Sequence, residues 1–138
     1  MTHTGRILPE QLARELKPVL KVGVRPSKIV SLLEKLPGLI STCSPGIAID
    51  DQWEQAFAIC EAIEKAANSL GDGVYGRATR TLFGIESGTR GLLLGRRRLV
   101  AAGLLQVDEA TLIRHWEAPI RLDLAAMLYR QGSRQSVP

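Results

Sequence analysis

The stretch "RRRLVAAGLLQVDEATLIR", residues 96–114, decides how this chain folds. A helix-turn-helix needs a small residue on its first helix so that the second can approach, and a turn four residues later. A β-branched residue, an N-cap, a Thr and an aliphatic residue facing the core follow. Ala102, Gln106, Val107, Asp108, Thr111 and Leu112 fill those places in order. The spacing predicts a helix over 92–104, a tight connection, and a second helix over 108–116, with Ala102, Val107, Thr111 and Leu112 as the packing residues.

Two features depart from a DNA-reading version of this unit. Gln106 stands where glycine most easily takes the left-handed backbone of the turn. The exposed positions at the start of the second helix are Asp108, Glu109 and Ala110, which would meet phosphates with negative charge, and only Arg114 and His115 follow. The positive charge lies upstream instead. Arg77, Arg80, Arg90, Arg96, Arg97 and Arg98 face only Glu86 across their window, so this segment is the candidate surface for phosphates or another anionic partner. Consecutive helical residues lie about 100° apart, so Arg96, Arg97 and Arg98 cannot all touch one flat partner.

Outward from that segment, 138 residues suit one compact domain that buries a core without metals or disulfides. Apolar residues make up 45% and charged residues 23%, as in an ordinary soluble globular protein. The net charge of +4 is uneven: residues 1–70 hold eight Lys or Arg against eight Asp or Glu, and residues 71–138 hold ten against six. The N-terminus lacks a signal-peptide pattern and no window approaches a membrane span, which implies a cytoplasmic protein without a membrane partner. Cys43 and Cys60 then read as small core hydrophobes, not a bridge.

Helical periodicity appears throughout and strand patterning nowhere. Pro9 opens a helix with Leu12, Leu16, Val19 and Leu20 on one side, which Pro18 should end or bend near Lys17. A second helix starts near Pro26 or Ser27, carries Ile29, Val30, Leu33 and Leu36, and is stopped by Pro37 and Gly38; residues 39–49 read as a connector. A third helix opens on Asp51 with Glu54 in its first turn and lines up Trp53, Phe57, Cys60, Ile63, Ala67 and Leu70. That stripe reads as a core face, with a dimer seam as the alternative. "GDGVYG", residues 71–76, breaks the chain, a short helix follows at 77–84 with Leu82 and Phe83 inward, and 84–91 is a turn-rich loop. A last helix begins at Ala118 and Pro119 and runs to Arg130; its wide apolar arc should be covered on two sides, by the N-terminal helices or by a second copy. Met1–Gly5 and residues 132–138 read as tails.

Catalytic patterns are weak. His3 and His115 cannot pair as metal ligands, two separate cysteines do not complete a site, and "GDGVYGR" follows a helix and fits no phosphate loop. Asp50 and Asp51 are better read as capping, and Cys60 with His115 would be a chance nucleophile and base. Trp53 and Trp116 read as edges of the core. No catalytic residue, metal or cofactor is expected.

Residues 75–130 resemble a segment of actinobacterial proteins of regulatory or signalling type, a degenerate helix-turn-helix. The matching pieces are the "LFGI" helix end at Leu82, the "GTRG" turn at Gly88, Arg97 and Arg98, Ala101 and Ala102, Val107, Thr111, Arg114, Glu117 and the leucine-rich run from Leu122 to Leu128. The resemblance implies a module attached to regulators; it carries no ligand and does not extend to residues 1–70.

The sequence therefore predicts an all-α helical bundle with an N-terminal helical part over 1–71, a helix-turn-helix-like trihelical unit over 72–131 and a tail over 132–138. The expected role is a non-enzymatic regulatory or adaptor module that binds a protein partner or itself, with a homodimer compatible. The alternative is a DNA-binding transcriptional regulator holding double-stranded DNA through Arg77, Arg80, Arg90 and Arg96 to Arg98 on phosphates, with Arg114 and His115 near the bases.

Overall fold

The computed structural model describes residues 8–135, so Met1–Gly5, His3 and residues 136–138 lie outside it. Among the described residues every regular element is helical. α1 (Pro9–Val22) leads to α2 (Pro26–Ile29), which runs on as a 3-10 turn over Val30–Lys35. α3 (Pro37–Cys43), α4 (Gln52–Asn68), α5 (Val74–Leu82) and α6 (Leu94–Leu105) follow. α7 (Glu109–Thr111) continues through a π turn at Leu112–Trp116 into α8 (Glu117–Gln135).

α1 is amphipathic as its spacing predicts, with Leu12, Leu16, Val19 and Leu20 all buried. Contrary to expectation, Pro18 neither ends nor splits it. An interior proline costs about 3 kcal/mol, and each buried Leu or Val returns roughly 1.5–3 kcal/mol, so burial decides. The helix stops at Gly23 instead, whose φ of 91° breaks the helical path.

The expected stop at Pro37 and connector over 39–49 is corrected by α3. Proline is welcome in the first turn, where no intrahelical N–H is needed. The cap comes from elsewhere in the chain: buried Glu15 on α1 accepts from the N–H groups of Gly38 at 2.9 Å and Leu39 at 2.8 Å. A carboxylate at a helix N-terminus satisfies orphan donors and complements the helix dipole.

α4 opens on Asp51 as read, with its carboxylate accepting from the Glu54 N–H at 3.4 Å. Its inward face differs in phase from the expected stripe. Gln55, Ala56, Ile59, Cys60, Ile63, Ala66 and Ala67 are buried, while Trp53 and Phe57 are exposed.

α8 packs against α1, α3 and α4, so the N-terminal helices cover most of its wide apolar arc within one chain, while Leu122 stays exposed. Ile120, Leu124, Ala125 and Leu128 lie in that core. The helix expected to begin at Ala118 and Pro119 is instead continuous with α7. A proline ring collides with the carbonyl four residues back, here His115. The π turn, in which the Glu117 N–H reaches Leu112, widens the backbone just before it. α8 also continues through Gln135, so residues 132–135 are helical and not tail.

Candidate functional site: the arginine flank and the exposed apolar faces

The turn between α6 and α7 has the geometry that the spacing requires. Gln106 sits in the left-handed region at φ 59°, and the Val107 N–H returns to the Ala102 carbonyl at 3.0 Å. Asp108 caps α7 through the Thr111 N–H at 2.7 Å, and this bond holds its carboxyl below the usual range. Ala102 and Leu112 are buried, while Val107 and Thr111 are half-buried. Ala102 and Leu112 thus lie in the core, and Val107 packs against it. Trp116 is half-buried at the core edge, its ring 6.4 Å from that of Tyr75.

The arginine set divides sharply. Arg97 is 1% exposed and does not face solvent at all. Its Nη1 donates to the carbonyls of Leu20, at 2.9 Å, and Leu82. Its Nη2 donates to Lys21 at 3.0 Å and its Nε to Leu92 at 3.0 Å. Those acceptors are the C-terminal turns of α1 and α5 and the loop before α6. Final carbonyls of a helix have no internal donor and carry the negative end of the dipole, so a guanidinium there satisfies both at once. Burial first, and then the neighbouring Arg98 charge, lower the pKa of Arg97, partly opposed by Glu117.

Arg80 performs the same service for α4. Buried among side chains, it donates from Nη1 to the carbonyls of Ala67 at 3.2 Å and Gly71 at 2.9 Å. Its Nε binds Glu86 at 2.8 Å, which occupies the one acidic residue of the arginine window. Arg98 holds buried Glu117 in a two-point pair, 2.7 Å from Nε and 2.9 Å from Nη2, tying α6 to α8. Arg80 and Arg97 therefore leave the set of phosphate contacts, and Arg98 is largely committed to Glu117.

What remains outward is thinner. Arg77 is half-exposed and 3.9 Å from Glu86, and Arg90 pairs with Glu64 at 3.2 Å. Arg96, Arg114 and His115 are exposed. Around them, Asp108 is exposed as well and Glu109 half-buried.

Composition could not reveal two apolar faces that the fold leaves open. At the start of α4, Ile49 is 87% exposed, Trp53 53% and Phe57 55%, with the two rings 6.3 Å apart. Asp50, Asp51 and Glu54 flank them. Leu93, just before α6, and Leu99 and Val100 on it are exposed near Arg96. The rule that aromatic residues in an amphipathic stripe point inward placed Trp53 in the core, and the fold overrides it.

Cys43 and Cys60 are free thiols. Burial, reinforced by Glu15 for Cys43 and by Glu64 for Cys60, pushes both up to about 12, and Arg90 only partly offsets this at Cys60. Neither is a thiolate near neutral pH, and the thiolate is the nucleophilic form. Among the described residues no group of three or more His, Cys, Asp or Glu is placed to hold a metal ion, and no helix is long and apolar enough to cross a membrane.

The fold and these faces define an all-α helical bundle with exposed apolar and arginine-bearing surfaces. Comparison with known protein families, curated proteins and solved structures gives no match to this chain.

Proposed function

We propose that the protein is a cytoplasmic, non-enzymatic regulatory or adaptor module that binds a protein partner or itself. The carrying observation is the Trp53 and Phe57 pair, exposed at the start of α4, with exposed Ile49, Asp50, Asp51 and Glu54 near it in the chain. Clustered exposed aromatics rimmed by polar residues are characteristic of interaction sites, and Trp is prominent among the side chains that dominate binding energy. The resemblance of residues 75–130 to segments of actinobacterial regulators points the same way. DNA binding loses ground because Arg80 and Arg97 spend their donors on main-chain carbonyls, and Asp108 with Glu109 opens the second helix.

The test pairs association with DNA binding. Sedimentation across a concentration series, and photo-crosslinking from position 53 in cells, should detect a self-complex or a protein adduct. Both signals should fall in a Trp53→Ala, Phe57→Ala variant that unfolds at the wild-type temperature. Titration against random duplex should show only weak binding that vanishes near 0.15 M salt, where exposed charges are screened beyond about 8 Å. A footprint on one DNA sequence, lost on changing Arg96 and Arg114, would establish the alternative regulator instead.

A further inference from the structure

Two depressions that share Arg121 lie along the edge between α1 and α8, the first of them also lined from α6. The first, about 240 Å³, is lined by Lys17, Leu20, Lys21, Leu94, Arg98, Glu117 and Arg121. Four cations thus surround one carboxylate, and both oxygens of that carboxylate are already held by Arg98. Lys17 and Lys21 stand one turn apart on α1, about 6 Å along the axis at 1.5 Å per residue. Like charges at that spacing weaken a helix, so their juxtaposition is a cost to the fold. The buried guanidinium of Arg97, with carbonyls but no carboxylate for partners, adds to the same positive field.

Arg121 is half-buried, and it lines both depressions along this edge. The second is more open and largely apolar, about 430 Å³, and is also walled by Ala13, Arg14, Ala118, Pro119, Leu122 and Asp123. A charged end and an apolar end meeting at one arginine have the make-up of a small-molecule site, where a few placed polar groups orient a ligand against apolar walls.

We propose that this edge binds an organic di- or triphosphate, with the phosphoryl chain among Lys17, Lys21 and Arg121 and its apolar group over Ala118, Pro119 and Leu122. Cations on both α1 and α8 offer separate contacts to successive phosphoryl groups, which a chain of two or three can use and a single phosphate cannot use as fully.

Calorimetric titration of the full chain with orthophosphate, pyrophosphate and ADP, in about 0.15 M salt to screen diffuse attraction, tests this. Pyrophosphate should bind at least tenfold more tightly than orthophosphate, and ADP more tightly than pyrophosphate. Arg121→Ala and the double variant Lys17→Ala, Lys21→Ala should each weaken pyrophosphate and ADP by about tenfold, which corresponds to roughly 1.4 kcal/mol. Lys17 and Lys21 are exposed, so that double variant should keep the far-UV spectrum and unfolding temperature of the wild type. Leu122→Asp should weaken ADP and spare pyrophosphate. Equal affinities for pyrophosphate and orthophosphate, unchanged affinity in the folded double variant, or ADP insensitive to Leu122→Asp would each overturn the proposal.

Discussion

Arg97 Nη1 donates to the carbonyl of Leu20 at 2.9 Å, joining residues 77 positions apart in the chain. Together with the bonds to Lys21, Leu82 and Leu92, it makes one guanidinium the meeting point of the ends of α1 and α5. Gly23 and Gly84 both approach this group closely, and the Val24 N–H reaches the Phe83 carbonyl at 2.8 Å beside it. The N-terminal helices and the helix-turn-helix-like segment are thereby held by charge as well as by apolar burial.

Arg97→Ala should therefore be severe. It leaves several buried carbonyls without donors, and removing one side of a buried charged arrangement costs roughly 3–5 kcal/mol, a large part of the about 5–15 kcal/mol that holds a domain together. Arg97→Lys keeps the charge but loses the planar fork, with an expected cost of about 2–3 kcal/mol. The adjacent exposed Arg96→Ala should change stability by no more than about 0.5 kcal/mol. Urea unfolding followed by circular dichroism measures all three, and similar midpoints for Arg96→Ala and Arg97→Ala would contradict the placement.

Gly76 tests a close approach. It lies inside α5, where replacing glycine by alanine ordinarily stabilises a helix by roughly 0.5–1 kcal/mol. A Cβ at this position would sit 2.4 Å from the Gly71 carbonyl oxygen, and backbone cannot swing aside. Gly76→Ala should lower stability by about 2 kcal/mol or more, in line with other overpacking changes. Gly95→Ala and Gly103→Ala on α6 meet nothing within 4 Å and should follow the ordinary rule. Thermal unfolding of the three variants should therefore give shifts of opposite sign.

Much of this architecture is legible in the sequence. The apolar spacing of α1, the Asp51 cap of α4 and the Ala102 to Leu112 pattern each lead to the right local structure, because the interactions that form them lie within a few residues. Three features escape such reading for the same physical reason: their partners are distant. α3 depends on a cap from Glu15 of α1. The outward turn of Trp53 depends on which part of α4 its neighbours cover. The arginines look alike in a charge count, and only tertiary packing separates Arg96 in solvent from Arg97 on helix ends and Arg80 on the end of α4.

Gln106 is the one residue other than glycine in the left-handed region among the described residues. That conformation costs a side-chain-bearing residue roughly 1–2 kcal/mol, against which glycine carries a larger unfolded-state entropy. Gln106→Gly should stabilise the chain by about 0.5–1 kcal/mol. In a domain of this size that raises the unfolding temperature by a few degrees. Scanning calorimetry decides it, and an unchanged or lower midpoint would mean that the Gln106 side chain contributes more to the turn than its backbone costs.

The two thiols set an alkaline limit. Cys43 and Cys60 ionise near 9.0 when unperturbed and are pushed up to about 12 in the fold, chiefly by burial. The folded state then binds more protons than the unfolded state between those values, so stability falls as pH rises. The contribution is fully present below about pH 9 and is progressively lost from there towards pH 12. Unfolding midpoints measured between pH 7 and pH 11 should decline over the upper part of that range, and Cys60→Ala, despite its own packing loss, should flatten the slope. At pH 8 both thiols should react with a disulfide reagent far more slowly than free cysteine, because the thiolate is the attacking species. Rapid labelling of either at pH 8 in the folded chain would show that burial does not hold these groups neutral.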